Sequence, residues 1–350
     1  MSEPACLIED VCAGDERSLA RALTHIERQT PGYRDLVGGL YAHTTGSAIV
    51  GVTGSPGTGK STLVDRLVAA ERAAGRTVGV IAVDPASPFS GGSVLGDRVR
   101  LTSMRGDDGV FVRSMSARGR LGGVAPATGD ALVAMDAFGF DRIIVETVGA
   151  GQSEVEVVEL AETVVVVLQP GSGDDVQMLK AGILEIGDVF VVNKCDLPGV
   201  ESTVRELRGM ISADLEGSAD GTDTGAGDGN GKGGDGTGPG KWVPPVIRTI
   251  ATEGTGIEPL QEAVIDHRGS LADDGLDRLR RDRIETAIRR IVRDDLEAAV
   301  DAAIDRRGGL GPAVEAVIDG RTDPYAVADD LVTSVVDRPG MPGDRKGTDN

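Results

Sequence analysis

The chain has 350 residues, enough for one large domain with appendages or for two smaller domains, and its formal net charge is −20. This acidity argues against a protein that holds nucleic-acid backbones or anionic membranes by charge. The three cysteines, Cys6, Cys12 and Cys195, form no C-x-x-C pair, so they indicate neither a disulfide framework nor a zinc knuckle.

Lysine is scarce, because the chain carries six lysines and thirty arginines. Together with the excess of acids, this composition resembles that of proteins from salt-loving organisms, in which a high net charge keeps the chain in solution. The N-terminus carries Glu3, Glu9 and Asp10 where a signal peptide would be basic and then apolar, and no apolar run approaches ~20 residues. We therefore expect a cytoplasmic protein without a membrane or nucleic-acid partner.

The first 270 residues show two different patterns of apolar residues. Apolar side chains recur at helical spacing between residues 5 and 45, which predicts an N-terminal helical extension over 1–45. From there to residue 270, short β-branched runs alternate with longer segments, as is typical of a parallel sheet with crossover helices. The fold class is therefore α/β, with a mostly parallel sheet flanked by helices over 46–270. The predicted strands are Ile49–Thr53, Thr77–Val83, Val110–Arg113, Arg142–Val145, Val164–Leu168, Val189–Val192 and Val246–Ile250.

The first predicted strand runs into the segment GSPGTGKS, which matches the P-loop pattern G-x-x-x-x-G-K-[S/T] between a strand and a helix. Its glycines let backbone N–H groups converge on a β-phosphate, Lys60 neutralises the β- and γ-phosphate oxygens, and Ser61 offers its hydroxyl to Mg²⁺. This motif predicts a P-loop NTPase. The nucleotide-binding residues predicted here are Gly54, Ser55, Pro56, Gly57, Thr58, Gly59, Lys60, Ser61 and Thr62.

Two acids after the second predicted strand are candidates for the magnesium site. Asp84 stands at the strand end, and Asp97 lies in a glycine-rich loop within VDPASPFSGGSVLGDRVRL. Carboxylates in these positions are placed to approach the metal or its waters, as a switch segment would.

Another apolar strand ends in IIVETVG, with Glu146 at its tip and Gly149 three residues later. Glu146 suits the Walker B carboxylate of the Mg²⁺ shell, and the Gly149 N–H suits a γ-phosphate oxygen. Glutamate stands where most GTPases have aspartate. Ala150 follows Gly149, so a water-orienting glutamine does not occupy this position. Gln152 is not assigned as a catalytic residue. Slow intrinsic hydrolysis of GTP is therefore expected.

The segment Asn193-Lys194-Cys195-Asp196 follows a further apolar strand and matches N-K-x-D. The Asp196 carboxylate can accept both N–H groups on one edge of guanine, whereas adenine offers an acceptor there. Because an unpaired buried polar group is costly, we expect strong preference for GTP over ATP.

Three stretches together resemble the MeaB/ArgK family of G3E-type P-loop GTPases: DPASPFSGGSVLGDRVR, ETVGAGQSE and NKCD, with similarity from about Leu7 to Val336. The resemblance implies a GTPase chaperone of adenosylcobalamin-dependent methylmalonyl-CoA mutase, which gates cofactor loading, protects the radical enzyme and forms homodimers through C-terminal helices. The family also has a third switch, similar to GSGDDVQMLKAGILE here. The resemblance implies that Asp174 and Lys180 couple nucleotide state to the partner and support partner-stimulated hydrolysis, although Ala181 replaces a second lysine frequent in relatives.

Four other segments depart from the sheet pattern. Residues 217–240 contain no large apolar side chain, which predicts a disordered insertion. Apolar residues at helical spacing from Leu276 to Ile304 predict a long helix that either folds back on the core or forms a dimerisation arm. A further helical piece is expected over 310–337, within a C-terminal region of 271–337, and a polar tail over 338–350.

Two alternative functions share parts of these motifs. A metal-insertion GTPase of the hydrogenase or urease accessory type would need thiolate or imidazole ligands, and His25, His43, His267 and the cysteines form no cluster in the sequence. A small-molecule kinase or an ATPase linked to amino-acid transport is the other alternative, against which N-K-x-D argues.

Overall fold

The computed structural model describes residues 3–85, 106–117, 125–147, 160–171, 184–217 and 242–336. Two compact units make up the chain, residues 1–280 and residues 281–350. The first unit contains the sheet and the helices around it. The predicted insertion at 217–240 lies outside the described residues beyond Gly217.

All seven described strands pair in parallel, in the order β3-β2-β4-β1-β5-β6-β7. Every residue of β1, β4, β5 and β6 is buried, as β-branched runs covered on both faces require. The strands are β1 Ala48–Thr53, β2 Val78–Pro85, β3 Val110–Ala117, β4 Arg142–Thr147, β5 Thr163–Leu168, β6 Val189–Val192 and β7 Val246–Arg248. The predicted α/β class is confirmed.

Four strands end at residues other than those predicted. β2 and β4 each continue two residues further, to Pro85 and Thr147. β3 continues four residues beyond Arg113 because it stays paired with β2 as far as Ala117. β7 ends at Arg248 rather than Ile250, because Ile250 bridges to Thr255 and turns the chain back.

Helices cover both faces of the sheet and create two apolar cores. One core joins α4 and α8 to side chains of the central strands, and the other joins α5, α7 and the N-terminal helices to the opposite face. The helices of this unit are α1 Glu3–Cys12, α2 Glu16–Arg28, α3 Tyr33–Leu40, a 3-10 turn Tyr41–His43, α4 Lys60–Ala73, α5 Ala125–Phe138, α6 Leu184–Ile186, α7 Val200–Gly217 and α8 Ile257–Ser270.

Polar contacts as well as packing fix the N-terminal part of the chain to α5 and to the sheet. On α5, the Asp136 carboxylate accepts hydrogen bonds from the backbone N–H groups of Gly46 and Ser47, both at 2.9 Å. On β3, the Arg113 guanidinium lies 2.8 Å from the Glu27 carboxylate of α2. The Asp136 bonds fix the chain immediately before β1, the strand that leads into the P-loop, and the Arg113 pair joins α2 to β3.

The long helix α9, Ala272–Arg306, begins in the first unit and continues into the second, followed by α10 Gly311–Ile318 and α11 Pro324–Val336. It includes the whole predicted span 276–304. Large apolar side chains on its second-unit part are between 41% and 57% exposed: Ile284, Ile288, Ile291, Val292 and Leu296. Within the described residues, no helix combines the length and apolar character needed to cross a membrane.

Candidate nucleotide-binding site

The predicted site segments gather at the carboxyl edge of the sheet, around its central strand. β1 leads into residues 54–59, and its neighbours β4 and β5 lie on either side of it. In open parallel sheets, ligands bind in the crevice beyond the carboxyl ends of the strands.

The P-loop backbone depends on glycine. Gly54, Gly57 and Gly59 have φ values of 141°, 83° and 92°, a region that side-chain-bearing residues rarely adopt. A Cβ atom on Gly54 would collide with the backbone of Val167 on β5, and one on Gly59 would lie 2.5 Å from the Asn193 amide nitrogen. The three glycines therefore hold the loop in its turn and let it approach β5 and β6 closely.

Lys60 opens helix α4 and is buried, with its ammonium group folded over the loop. Its Nζ donates hydrogen bonds to the carbonyl oxygens of Gly54 at 2.6 Å and Ser55 at 2.8 Å. The P-loop thus carries its positive charge within the turn, where anion-binding loops concentrate it.

Ser61 and Glu146 meet although they are 85 positions apart in the chain. The Ser61 hydroxyl donates to Glu146 Oε1 at 2.5 Å, and Glu146 is aligned with Val52 of β1 near the end of β4. Hydroxyl and carboxylate oxygens are the hard donors that Mg²⁺ prefers, so this pair fits a magnesium ion. Thr62, the next residue of α4, is half-buried.

Of the remaining predicted magnesium, phosphate-binding and switch residues, the structure describes only the backbone of Asp84. The backbone of Asp84 lies near the end of β2, paired with Ser116 of β3, at the same edge of the sheet. Asp97, Gly149, Asp174 and Lys180 lie outside the described residues.

Asn193 joins three loops through one buried amide. Its Nδ2 donates to the carbonyl oxygen of Thr58 in the P-loop at 2.8 Å. Its Oδ1 accepts from the Thr249 hydroxyl at 2.9 Å and from the Ala251 N–H at 3.1 Å, both just beyond β7. The amide therefore fixes the position of the predicted base-binding segment relative to the predicted phosphate-binding loop.

Lys194 adds a second link, with a backbone φ of 59° that turns its side chain across the site. Its Nζ donates to the Gly57 carbonyl oxygen at 2.6 Å and to Gln169 Oε1 at 2.8 Å. Asp196 lies in the exposed turn that follows, and Pro56 is also exposed. The N-K-x-D segment and the P-loop, predicted from separate motifs, thus stand side by side.

Cys195, between Lys194 and Asp196, is half-buried, and its Sγ donates to the Val192 carbonyl oxygen at 3.1 Å. Burial raises the pKa of the Cys195 thiol above its ordinary value. The residue therefore stays a neutral thiol at physiological pH rather than a thiolate nucleophile.

Thr249, Ala251 and Gln169 belong to this network but were not predicted from the sequence. Each follows the end of a strand, β7 or β5, at the carboxyl edge where ligand sites form. That position was the available signal, since no short motif marks these residues.

A loop with the P-loop pattern and an N-K-x-D loop, joined by hydrogen bonds at the carboxyl edge of a parallel sheet, place the chain in the class of P-loop GTPases. The family model described as "Methylmalonyl Co-A mutase-associated GTPase MeaB" matches residues 19–305. The chain belongs to this family, and it is a GTPase.

Individual relatives agree with the family match. A candidate GTPase of Pyrococcus abyssi is 44% identical over 331 residues, covering 94% of this chain and 96% of the relative. The GTPase ArgK of Escherichia coli is 32% identical over 266 residues, which are 75% of each chain. The crystal structure of an LAO/AO transport system kinase has the same fold, with a TM-score of 0.66 at 24% identity over 96% of this chain and 99% of that one.

Proposed function

We propose that this GTPase is a chaperone of an adenosylcobalamin-dependent methylmalonyl-CoA mutase, and that its nucleotide state controls the assembly, cofactor loading and protection of that enzyme. The observation that carries the proposal is the family match over residues 19–305, whose description names a mutase-associated GTPase. This match favours the chaperone over a metal-insertion GTPase and over a transport-linked kinase or ATPase. The acidic chain and the abundance of its substrate nucleotide inside cells favour a cytoplasmic location.

In the proposed complex, the P-loop binds the phosphates of GTP. Lys60 exchanges its bonds to the Gly54 and Ser55 carbonyl oxygens for β- and γ-phosphate oxygens, which are stronger, charged acceptors. The loop N–H groups and the start of α4 add donors at a helix N-terminus. Gly149 contributes a further N–H in this proposal.

Magnesium is the proposed cofactor, with Ser61 and Glu146 as its protein ligands and Asp84 and Asp97 in or near its hydration shell. The ion supplies positive charge that neutralises the phosphate oxygens. The contact between the Ser61 hydroxyl and the Glu146 carboxylate supports the assignment, because the chain already brings two oxygen donors together there.

Guanine is read by Asp196, on the exposed turn that follows Lys194 and Cys195. The carboxylate accepts hydrogen bonds from two N–H groups of guanine. Adenine does not offer these two donors together, so the carboxylate is not fully paired. Lys194 and Asn193 support this turn through their bonds to the P-loop. In this proposal, these bonds fix the position of the base relative to the phosphates.

Partner control is assigned to Asp174 and Lys180. Lys60, Ser61 and Glu146 hold the nucleotide and metal without completing the stabilisation of the transition state, so free protein hydrolyses GTP slowly. When the mutase docks, Asp174 and Lys180 couple its binding to the nucleotide site, and the hydrolysis of GTP accelerates. The test is the rate of GTP hydrolysis with and without the mutase, and an unaccelerated rate contradicts the proposal.

The second proposed partner is another copy of this chain, held through the exposed apolar stripe of α9. Its charge is segregated: residues 278–293 carry seven arginines, and residues 294–305 carry five acids and no basic residue. Two copies of α9 packed antiparallel would bury Ile288 and Leu296 and set each basic half against an acidic half.

The variant Ile288→Arg is expected to convert a dimer to a monomer, because it puts a charge into the apolar stripe. Light scattering across protein concentrations measures the change in mass. Val243→Arg is the matched control, because Val243 is 60% exposed on the first unit, and it should leave the dimer intact. A wild-type protein that stays monomeric at tens of micromolar would contradict this assembly.

A further inference from the structure

A compact turn follows β7 and carries part of the network around Asn193. The Ile250 N–H donates to the Thr255 carbonyl oxygen at 3.1 Å, which closes the turn. Gly256 has a φ of 79°, and a Cβ there would collide with the carbonyl oxygen of Arg248. Residues 249–256 therefore have a defined shape, and the Ala251 N–H is directed at Asn193 Oδ1.

Arg66 holds this turn from the other side. It lies on α4, six residues after Lys60, and is half-buried. Its Nε donates to the Ala251 carbonyl oxygen at 3.1 Å, and one terminal nitrogen donates to the Thr252 carbonyl oxygen at 2.8 Å. Two nitrogens of one planar group thus hold two successive carbonyl oxygens, and the rigid fork of the guanidinium fixes the spacing between the two bonds.

These bonds complete a closed ring that joins the two halves of the site. From Thr58 the ring passes to Asn193, then to Ala251, then to Arg66, and α4 returns it to the P-loop. The Arg66 link spans 185 positions of sequence. Because Asn193 precedes Asp196 by three residues, the ring links the turn that carries Asp196 to the P-loop.

From this arrangement we infer that Arg66 is a positioning residue for guanine selectivity, and this inference rests on the proposed role of Asp196. In this role Arg66 acts through its bonds to Ala251 and Thr252, and not through a contact with the nucleotide. Its bonds to the Ala251 and Thr252 carbonyl oxygens immobilise this segment, and the Ala251 N–H in turn holds the Asn193 amide in the orientation that places the following turn. Without Arg66 the base-binding turn gains freedom and distinguishes guanine from adenine less sharply.

The experiment compares Arg66→Met with wild-type protein by calorimetric titration with GDP and with ADP in the presence of Mg²⁺. Methionine keeps the unbranched stem of the side chain as far as the position of Nε and removes both donors. Wild-type protein is expected to prefer GDP at least ~100-fold. In Arg66→Met this ratio is expected to fall about tenfold, mainly through weaker GDP binding, because hydrogen bonds from a charged donor contribute at that scale. Arg66→Lys keeps the positive charge but has a shorter side chain and no rigid fork of donors, so it should give an intermediate ratio.

The matched control is Arg248→Met, which removes an arginine from the neighbouring strand whose guanidinium forms an exposed pair with Glu201. That variant should keep the GDP/ADP ratio within about twofold of wild type. If Arg66→Met lowers the melting temperature or weakens both nucleotides equally while the ratio is preserved, Arg66 has a structural role only and the inference is wrong. If wild-type protein itself shows no preference for GDP, the assignment of Asp196 fails as well.

Discussion

Replacing Lys60 by methionine is expected to reduce GTP hydrolysis by at least ~10³-fold and to weaken the binding of GTP. The ammonium group of Lys60 is buried within the P-loop turn, 2.6 Å from the Gly54 carbonyl oxygen, so its charge is already concentrated where the phosphates are proposed to bind. In that sheltered place, an electrostatic contribution to the transition state is larger than on an exposed surface. Release of phosphate under saturating GTP and Mg²⁺ measures the effect.

The control for this variant is Lys346→Met. Lys346 is one of the six lysines of the chain and lies in the sequence assigned to the polar tail. It should hydrolyse GTP at the wild-type rate. A Lys60→Met protein that remains folded by circular dichroism and retains more than about a tenth of the wild-type rate would show that this lysine is not the phosphate-binding charge.

Replacing Asn193 by alanine is expected to weaken GDP binding by ~10²-fold or more. The change removes one donor and one acceptor from a buried amide and leaves the Thr58 carbonyl oxygen, the Thr249 hydroxyl and the Ala251 N–H without this partner. Each buried group that loses its bond costs about 1–3 kcal/mol, and the cost falls on the loops that form the site. Calorimetry with GDP measures the affinity, and thermal unfolding measures the accompanying loss of stability.

Thr249→Val serves as the graded comparison, because it keeps the shape of the side chain and removes one hydroxyl donor to Asn193. Its affinity for GDP should fall by about tenfold at most, since a single neutral hydrogen bond contributes about 1 kcal/mol. The order wild type, Thr249→Val, Asn193→Ala is the expected ranking. Equal affinities in Asn193→Ala and wild type would mean that the network does not support the nucleotide site.

Local sequence signals predicted the sheet well, because its strands are continuous apolar runs. β6 was predicted at its observed bounds, Val189–Val192, and β1 and β5 within one residue. β3 was predicted too short, since Ser114 and Ser116 interrupt the β-branched pattern and only pairing with β2 keeps them in the strand. β7 was predicted too long, because the turn closed by Ile250 and Thr255 depends on a contact between residues rather than on composition.

The residues of the site likewise fall into those that local sequence predicts and those that depend on contacts made in the folded chain. The P-loop and N-K-x-D segments are short motifs whose chemistry depends on neighbouring residues, and they could be recognised directly. Arg66 and Ala251 act on each other over 185 positions, and neither has a local pattern that distinguishes it. Such contacts exist only after α4 and the turn following β7 have packed on the same side of the sheet, so they follow from tertiary structure alone.

In the proposed function, a methylmalonyl-CoA mutase accelerates GTP hydrolysis by this protein through Asp174 and Lys180. Single-turnover hydrolysis of GTP, measured with and without the mutase for wild type, Lys180→Ala and the Lys346→Met control, tests it most directly. We expect the mutase to accelerate wild type and Lys346→Met by about tenfold or more, as partner-supplied stabilisation of a phosphoryl-transfer transition state does. Lys180→Ala should bind GTP and hydrolyse it alone as wild type does, yet lose most of the acceleration. A mutase that leaves the wild-type rate unchanged, or that accelerates Lys180→Ala equally, would contradict the account.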